Sequence, residues 1–191
     1  MVRPIAITQG DAAGIGPETI VKAFRDAPQE TQGCFVVGDL ATLRRATAVV
    51  AGQGVPMPVA VLDAVQQVGQ CPPGCIPLWP LVGSNPFGPT EPFGQLSARA
   101  GQMAGDCVVW AAQAALRGEV AALVTAPLNK AALSLAGPPH AAFPGHTEML
   151  QAVVATERQQ DIAHWPVRMM LANDELRVVL VSIHVALRDA L

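Results

Sequence analysis

The sequence lacks the features of a nucleic-acid-binding protein and those of a membrane-spanning protein. Charged residues make up 14% of its 191 residues, the formal net charge is −3, and no run of lysine and arginine occurs. A basic patch is the electrostatic footprint of a nucleic-acid binder, so we expect no nucleic-acid partner. No apolar run approaches the roughly 20 residues that span a bilayer, and residues 1–4 do not resemble a secretory signal. We therefore expect no membrane partner and a cytoplasmic location.

Several common metal-binding and catalytic motifs are also missing. Of the four cysteines, Cys71 and Cys75 form one close pair, but no second pair at zinc spacing follows. Free thiols are therefore favoured over a metal site or a disulfide. The sequence contains neither a nucleophile elbow nor a carboxylate pair of the glycosidase type.

The apolar residues, 51% of the chain, suffice for a large core and occur in short strand-like runs that alternate with helical ones. The predicted strands are 5–8, 34–37, 59–62, 76–79, 120–125, 167–171 and 177–183. The predicted helices are 17–25, 40–50, 97–117, one beginning near 130, one from about 147 to 159, and one beginning at 187. This alternation predicts an α/β fold with a largely parallel sheet, and the turn at Asn173-Asp174 predicts an antiparallel hairpin near the end.

Two loops lie between a predicted strand and a predicted helix. The loop from Gly10 to Gly16 has the spacing G-x3-G-x-G, which is neither the Rossmann fingerprint nor a P-loop. A tight turn that needs glycine and a ligand-binding loop both remain open for it. The segment Thr125–Lys130 follows a strand end, where ligands collect in open α/β sheets, so Lys130 would offer a cation to an acidic ligand. A solvated lysine in the first turn of a helix is the simpler interpretation of Lys130.

The segment 143–150 carries an imidazole and a hydroxyl, His146 and Thr147, on a turn before a helix. We predict that Thr147 caps this helix and that the positive end of the helix favours an anion. An exposed imidazole at this place suits a small phosphorylated or carboxylated substrate. The alternative is a structural histidine in an ordinary helix-start turn.

The other histidines give weaker signals. His184 ends the predicted strand 177–183, where it is a candidate metal ligand or acid/base, with a buried structural histidine as the alternative. His140 and His164 have no supporting neighbours in the sequence, so we interpret them as surface or loop residues.

Taken together, these segments resemble the 4-hydroxythreonine-4-phosphate dehydrogenase family of pyridoxal phosphate biosynthesis. The resemblance rests on four blocks in the family's order, and it is weakest from about Val50 to Gly94. The blocks are 7–18, 125–130, 144–150 and 169–189.

The resemblance implies the three-layer α/β/α fold of isocitrate and isopropylmalate dehydrogenases, in truncated form. Residues 1–135 would form an incomplete first α/β domain. Residues 136–191 would begin a second domain for substrate, metal and dimerisation, and the protein would be a homodimer.

The resemblance also implies an activity. The family uses NAD or NADP to oxidise the C3 hydroxyl of 4-phosphooxy-L-threonine, and the product loses CO₂ to give 3-amino-2-oxopropyl phosphate. A divalent metal (Zn, Mg or Co) holds that hydroxyl, lowers its pKa and stabilises the enolate. His146 and Thr147 match the family's substrate-binding pair, and His184 matches one of its three metal-binding histidines.

Two departures from the family pattern limit what the resemblance implies. Ala12 replaces the usual proline of the glycine loop. The family's other two metal histidines, its substrate-binding Lys, Asn and Arg, and most of its cofactor site match nothing up to Leu191, so we expect no dehydrogenase activity from this chain alone. The alternatives are a paralogue acting on 4-phosphoerythronate or phosphothreonate, an inactive truncated remnant, and, less favoured, an acyl-phosphate transferase of similar fold.

Overall fold

Short apolar segments form a parallel sheet at the centre of the molecule. The structure is a computed structural model that describes residues 2–81, 91–182 and 186–190. The strands of the sheet are β1 (Ile5–Thr8), β2 (Cys34–Gly38), β3 (Val59–Val61), β4 (Ile76–Pro80) and β5 (Ala122–Thr125). Their order is β3-β4-β2-β1-β5 and every pairing is parallel, which confirms the predicted α/β class. The central strand β2 is buried along its whole length, as expected for a parallel strand covered on both faces.

The helices follow the predicted pattern closely. They are α1 (Gly16–Asp26), α2 (Leu40–Ala51), α3 (Ala98–Leu116), α4 (Lys130–Leu135), α5 (His146–Glu157) and α6 (Leu187–Ala190). Asp39 and Ser97 cap α2 and α3 by accepting hydrogen bonds from backbone N–H groups. Within the described ranges, no helix is long and apolar enough to cross a membrane.

Each face of the sheet is covered by its own helices. Helices α1 and α2 cover one face, where Phe24 and Leu43 pack on Val36 of β2. Helix α3 covers the other face, where its Ala111 belongs to the same cluster as Phe35. Side-chain alternation along β2 explains this division, because neighbouring residues of a strand point to opposite faces.

Helices α4 and α5 form a further layer on the outer side of α3. One buried cluster joins the three helices through Val108, Leu133 and Met149. The predicted domain boundary at residue 135 falls at the end of α4, and it stays a prediction.

The last described strands form a separate two-stranded ribbon. Strands β6 (Met170–Ala172) and β7 (Arg177–Val179) pair antiparallel, as the Asn173-Asp174 turn predicted. The predicted strand 177–183 is confirmed over 177–179 and is wrong over 180–182, which are not in strand conformation. In the described chain β7 pairs only with the three-residue β6, so the ladder ends where β6 ends.

Candidate functional site

The strand order creates a crevice at the carboxyl end of β1. From β1 the chain crosses through α1 to β2 on one side, and β5 lies against β1 on the other side. In open α/β sheets such a reversal of direction is where ligands bind, beyond the carboxyl ends of the strands. The loops after β1 and β5 therefore border the candidate site.

These two loops are fixed to each other. The Asp11 N–H donates to the Pro127 carbonyl at 2.9 Å. Gly10 has a φ of +72°, and a Cβ atom there would lie 2.4 Å from the same carbonyl oxygen. Glycine is thus required at position 10 both by backbone conformation and by the close approach.

The glycine loop uses several of its N–H groups internally. The Asp11 carboxylate accepts from the Ala13 N–H at 2.9 Å, and the Asp11 carbonyl accepts from the Gly14 N–H at 3.1 Å. Together with the bond to Pro127, three N–H groups of the loop are satisfied within the protein. Of the two interpretations that the sequence left open, these bonds favour the tight turn over a phosphate cradle.

The loop after β5 leads directly into α4, whose first residue lies beside the turn before α5. Asn129 caps α4, accepting from the Ala131 and Ala132 N–H groups at 3.0 and 3.2 Å. Lys130, the first residue of α4, is exposed, and its Cε lies 3.9 Å from where a Cβ of Gly145 would stand. The Lys130 side chain therefore passes beside the turn that presents the predicted substrate-binding residues.

His146 is the first residue of α5 and is half-buried. Its Nε2 atom is buried and has no hydrogen-bond partner in the described part of the chain. Burial lowers the pKa of the imidazole, because desolvation disfavours the charged ring. His146 is thus a neutral imidazole at neutral pH, and its Nε2 is an unpartnered atom that is buried from solvent.

Thr147 does not cap α5, so that prediction is wrong. Gly145 occupies the N-cap position in an extended conformation, which places Thr147 one residue inside the first turn. The first hydrogen bond of the helix runs from the Met149 N–H to the Gly145 carbonyl at 3.3 Å. The N–H groups before Met149 therefore have no partner within the helix and favour negative charge at this end, although Glu148 already supplies one.

The structure brings together three of the four blocks identified in the sequence. The glycine loop contacts the loop after β5 through Pro127, and the start of α4 contacts the start of α5 through Lys130 and Gly145. The predicted metal ligand His184 lies outside the described residues. Among the residues that are described, no group of three His, Cys, Asp or Glu side chains is placed to hold a metal ion.

Two buried polar residues near the site were missed from the sequence. His140 was interpreted as a surface or loop residue, and this is wrong: it is 4% exposed, and its Nε2 lies 2.7 Å from the Asp106 carboxylate. Gln9, fully buried, accepts from the Asp39 N–H at 2.7 Å. The partners are 34 and 30 positions apart, so no local sequence signal points to either bond.

Comparison with known proteins gives one family. The family model described as "Pyridoxal phosphate biosynthetic protein PdxA" matches residues 30–191. A D-threonate 4-phosphate dehydrogenase of Salmonella typhimurium is 42% identical over 99% of this chain and 53% of its own length. A 4-hydroxythreonine-4-phosphate dehydrogenase of Beijerinckia indica is 38% identical over 98% of this chain and 50% of its own length.

A solved structure agrees with these matches. The crystal structure of a 4-hydroxythreonine-4-phosphate dehydrogenase from Burkholderia phymatum superposes with a TM-score of 0.79 at 35% identity. The superposition covers 99% of this chain and 52% of the other. The chain thus spans about half the length of the relatives it matches.

Proposed function

Because the chain belongs to the PdxA family of pyridoxal phosphate biosynthetic proteins, we propose that it is part of a dehydrogenase acting on a phosphorylated hydroxy acid. The observation that carries this proposal is the family match over residues 30–191. The neutral, half-buried His146 beside Lys130 supports it, since a hydrogen-bonding imidazole and a cation suit an anionic substrate.

The reaction proposed is the oxidation of 4-phosphooxy-L-threonine at C3. When bound, NAD or NADP accepts the hydride from that carbon. His146 and Thr147 would hold the substrate by hydrogen bonds, the first through its imidazole and the second through its hydroxyl. Loss of CO₂ from the resulting β-keto acid gives 3-amino-2-oxopropyl phosphate.

A second candidate substrate is D-threonate 4-phosphate. The relative named for that compound is 42% identical to this chain, against 38% for the relative named for 4-hydroxythreonine 4-phosphate. The two compounds differ at C2, which carries a hydroxyl in one and an amino group in the other. Both place the same C3 alcohol and terminal phosphate in the site, so His146 and Thr147 would serve either.

A divalent metal (Zn, Mg or Co) and its ligand His184 belong to the same proposal. In the chimera with the Salmonella relative that is described below, replacement of His184 by alanine should lower dehydrogenase activity, and excess divalent metal should restore part of that activity. Activity that is indifferent to chelators would contradict the metal assignment.

We further propose a cytoplasmic homodimer. The β6–β7 ribbon supports the dimer, because apolar side chains on it are exposed and would be covered in an assembly.

The activity is tested by measuring NADH and NADPH formation with the two phosphorylated acids and with unphosphorylated L-threonine. The proteins compared are this chain and a chimera in which it replaces the corresponding half of the Salmonella relative. The chimera should turn over a phosphorylated acid only, and His146→Ala should cost about 1–3 kcal/mol in kcat/KM for a lost hydrogen bond to a charged group. A chimera that is folded but inactive with both acids, beside an active parent, would contradict the proposal.

A further inference from the structure

The segment between α4 and α5 carries the turn that ends at His146. Its backbone hydrogen bonds are local: the Ala141 N–H donates to Gly137, the Ala142 N–H to Pro139 and the Phe143 N–H to His140. Among the described residues, no backbone hydrogen bond joins this stretch to α3. The position of the turn must therefore be set by side chains.

His140 supplies a directional link to α3. Its Nε2 lies 2.7 Å from the Asp106 Oδ1, and the ring is almost fully buried while the carboxylate side chain is 47% exposed. A carboxylate can only accept, so the ring donates from Nε2. The Nδ1 atom is buried without a partner in the described chain, a cost that the bond to Asp106 must offset.

Gly105 makes room for the ring. A Cβ atom at this position would lie 2.5 Å from the His140 Nδ1 and 2.7 Å from its Cγ. The imidazole thus lies directly against the backbone of α3, where any larger residue at 105 would displace it.

The second link to α3 is apolar and less specific. Phe143 packs at the edge of the cluster formed by Val108, Leu133 and Met149. Apolar contacts are non-directional, so Phe143 holds the segment on the helix without fixing its orientation. The hydrogen bond of His140 supplies the missing orientation.

We propose that His140, bound by Asp106 and seated on Gly105, is a positioning residue that orients the turn presenting His146. The effect of His140 on substrate binding rests on the proposed function. The effect of His140 on the position of the turn is independent of that function. Neither His140 nor Asp106 needs to touch the substrate.

The experiment follows the four histidines by NMR with labelled imidazoles, together with hydrogen exchange of the Ala141, Ala142, Phe143 and Met149 amides, which are hydrogen-bonded within the segment and at the start of α5. Asp106→Ala removes the acceptor, and Gly105→Ala displaces the ring while favouring the helix. Both variants should speed exchange of these amides about tenfold or more, since exchange reports local opening. In both, the pKa of His146 should move up toward the ordinary histidine value as the ring gains solvent. Lys130 and Glu148, the charged groups flanking the turn, are the same in every variant.

Two further variants make the test specific. Asp106→Asn keeps a carbonyl acceptor and should restore wild-type exchange and titration, whereas Asp174→Ala, an exposed carboxylate in the ribbon turn, should change neither. Unchanged exchange and titration in folded Asp106→Ala and Gly105→Ala would overturn the proposal, as would equal changes in Asp174→Ala. No readout requires a substrate, so this outcome is independent of whether the proposed reaction occurs.

Discussion

At the scale of single residues, the described histidines differ in their surroundings. His164 is exposed, His140 is buried against Asp106, and His146 is half-buried with a free nitrogen. Because burial lowers its pKa, His146 stays neutral where an exposed histidine begins to protonate. A neutral ring can both donate and accept, which suits a substrate that carries hydroxyl and phosphate oxygens.

The lowered pKa of His146 predicts how the stability of the fold depends on pH. Above the ordinary histidine value of about 6.5 the ring is neutral in both folded and unfolded states and contributes no pH dependence. Below that value the unfolded chain binds a proton that the folded chain resists until its own lower pKa is reached. The free energy of unfolding should therefore decrease as pH falls through this window.

Thermal unfolding of wild type and His146→Gln at about pH 7.5 and about pH 5 checks this sign. The drop in Tm between the two pH values should be smaller in His146→Gln, which cannot take up the proton. His164→Gln, which alters an exposed ring, should keep the wild-type drop. An identical drop in all three proteins would be at odds with a buried neutral His146.

At the scale of elements, α3 is the helix around which the site is built. One side of it packs on the sheet through Cys107 and Ala111, and the other carries α4 and α5. Glycines on the second side allow the close approach: a Cβ on Gly101 would lie 2.0 Å from the Ala132 carbonyl oxygen of α4. The spacing of α3 and α4 is thus set by the absence of a side chain.

Gly101→Ala should therefore destabilise the protein although alanine is the better helix former. The intrinsic gain is about 1 kcal/mol, whereas forcing two backbones apart costs typically 1–3 kcal/mol or more at such a distance. We expect a net loss in the free energy of unfolding, measured by urea denaturation. Gln102→Ala, at an exposed position of the same helix, should be neutral or slightly stabilising. Equal stability of the two variants would contradict the packing described.

The sequence predicted these elements well and the links between them poorly. Helix α3 could be predicted because its apolar residues recur at helical spacing. The contact of Gly101 with α4 and the bond of His140 to Asp106 join residues that are about 30 positions apart, and no local pattern encodes them. Thr147 lies two residues after the N-cap, because α5 begins at His146 and Gly145 takes the cap position.

At the scale of the whole molecule, the β6–β7 ribbon is the largest departure from a buried core. All residues of both strands are exposed, and the cross-strand pair Leu171 and Val178 is 58% and 39% exposed. Exposed apolar patches of this kind mark interaction surfaces more often than isolated apolar residues do. The ribbon is therefore where we place the contact of the proposed homodimer.

The homodimer proposal predicts that the purified chain self-associates through this ribbon. The double variant Leu171→Lys, Val178→Lys should shift the sedimentation coefficient toward that of a monomer, because each charge would have to be buried at the interface. Leu135→Lys, which alters an exposed leucine at the end of α4, should sediment as wild type. A monomeric wild type, or a double variant that still associates, would argue against the ribbon as the contact.

The internal hydrogen bonds of the glycine loop also imply that the segments lining the crevice have different roles, some structural and some ligand-binding. The N–H groups of Asp11, Ala13 and Gly14 donate to acceptors within the protein. The loop therefore has a structural role, which is to position the start of α1. The donors for a bound phosphate would instead lie across the crevice from the glycine loop, in the first turn of α5 and at Lys130. Replacing Gly10 should accordingly weaken folding while leaving the proposed preference for phosphate esters unchanged.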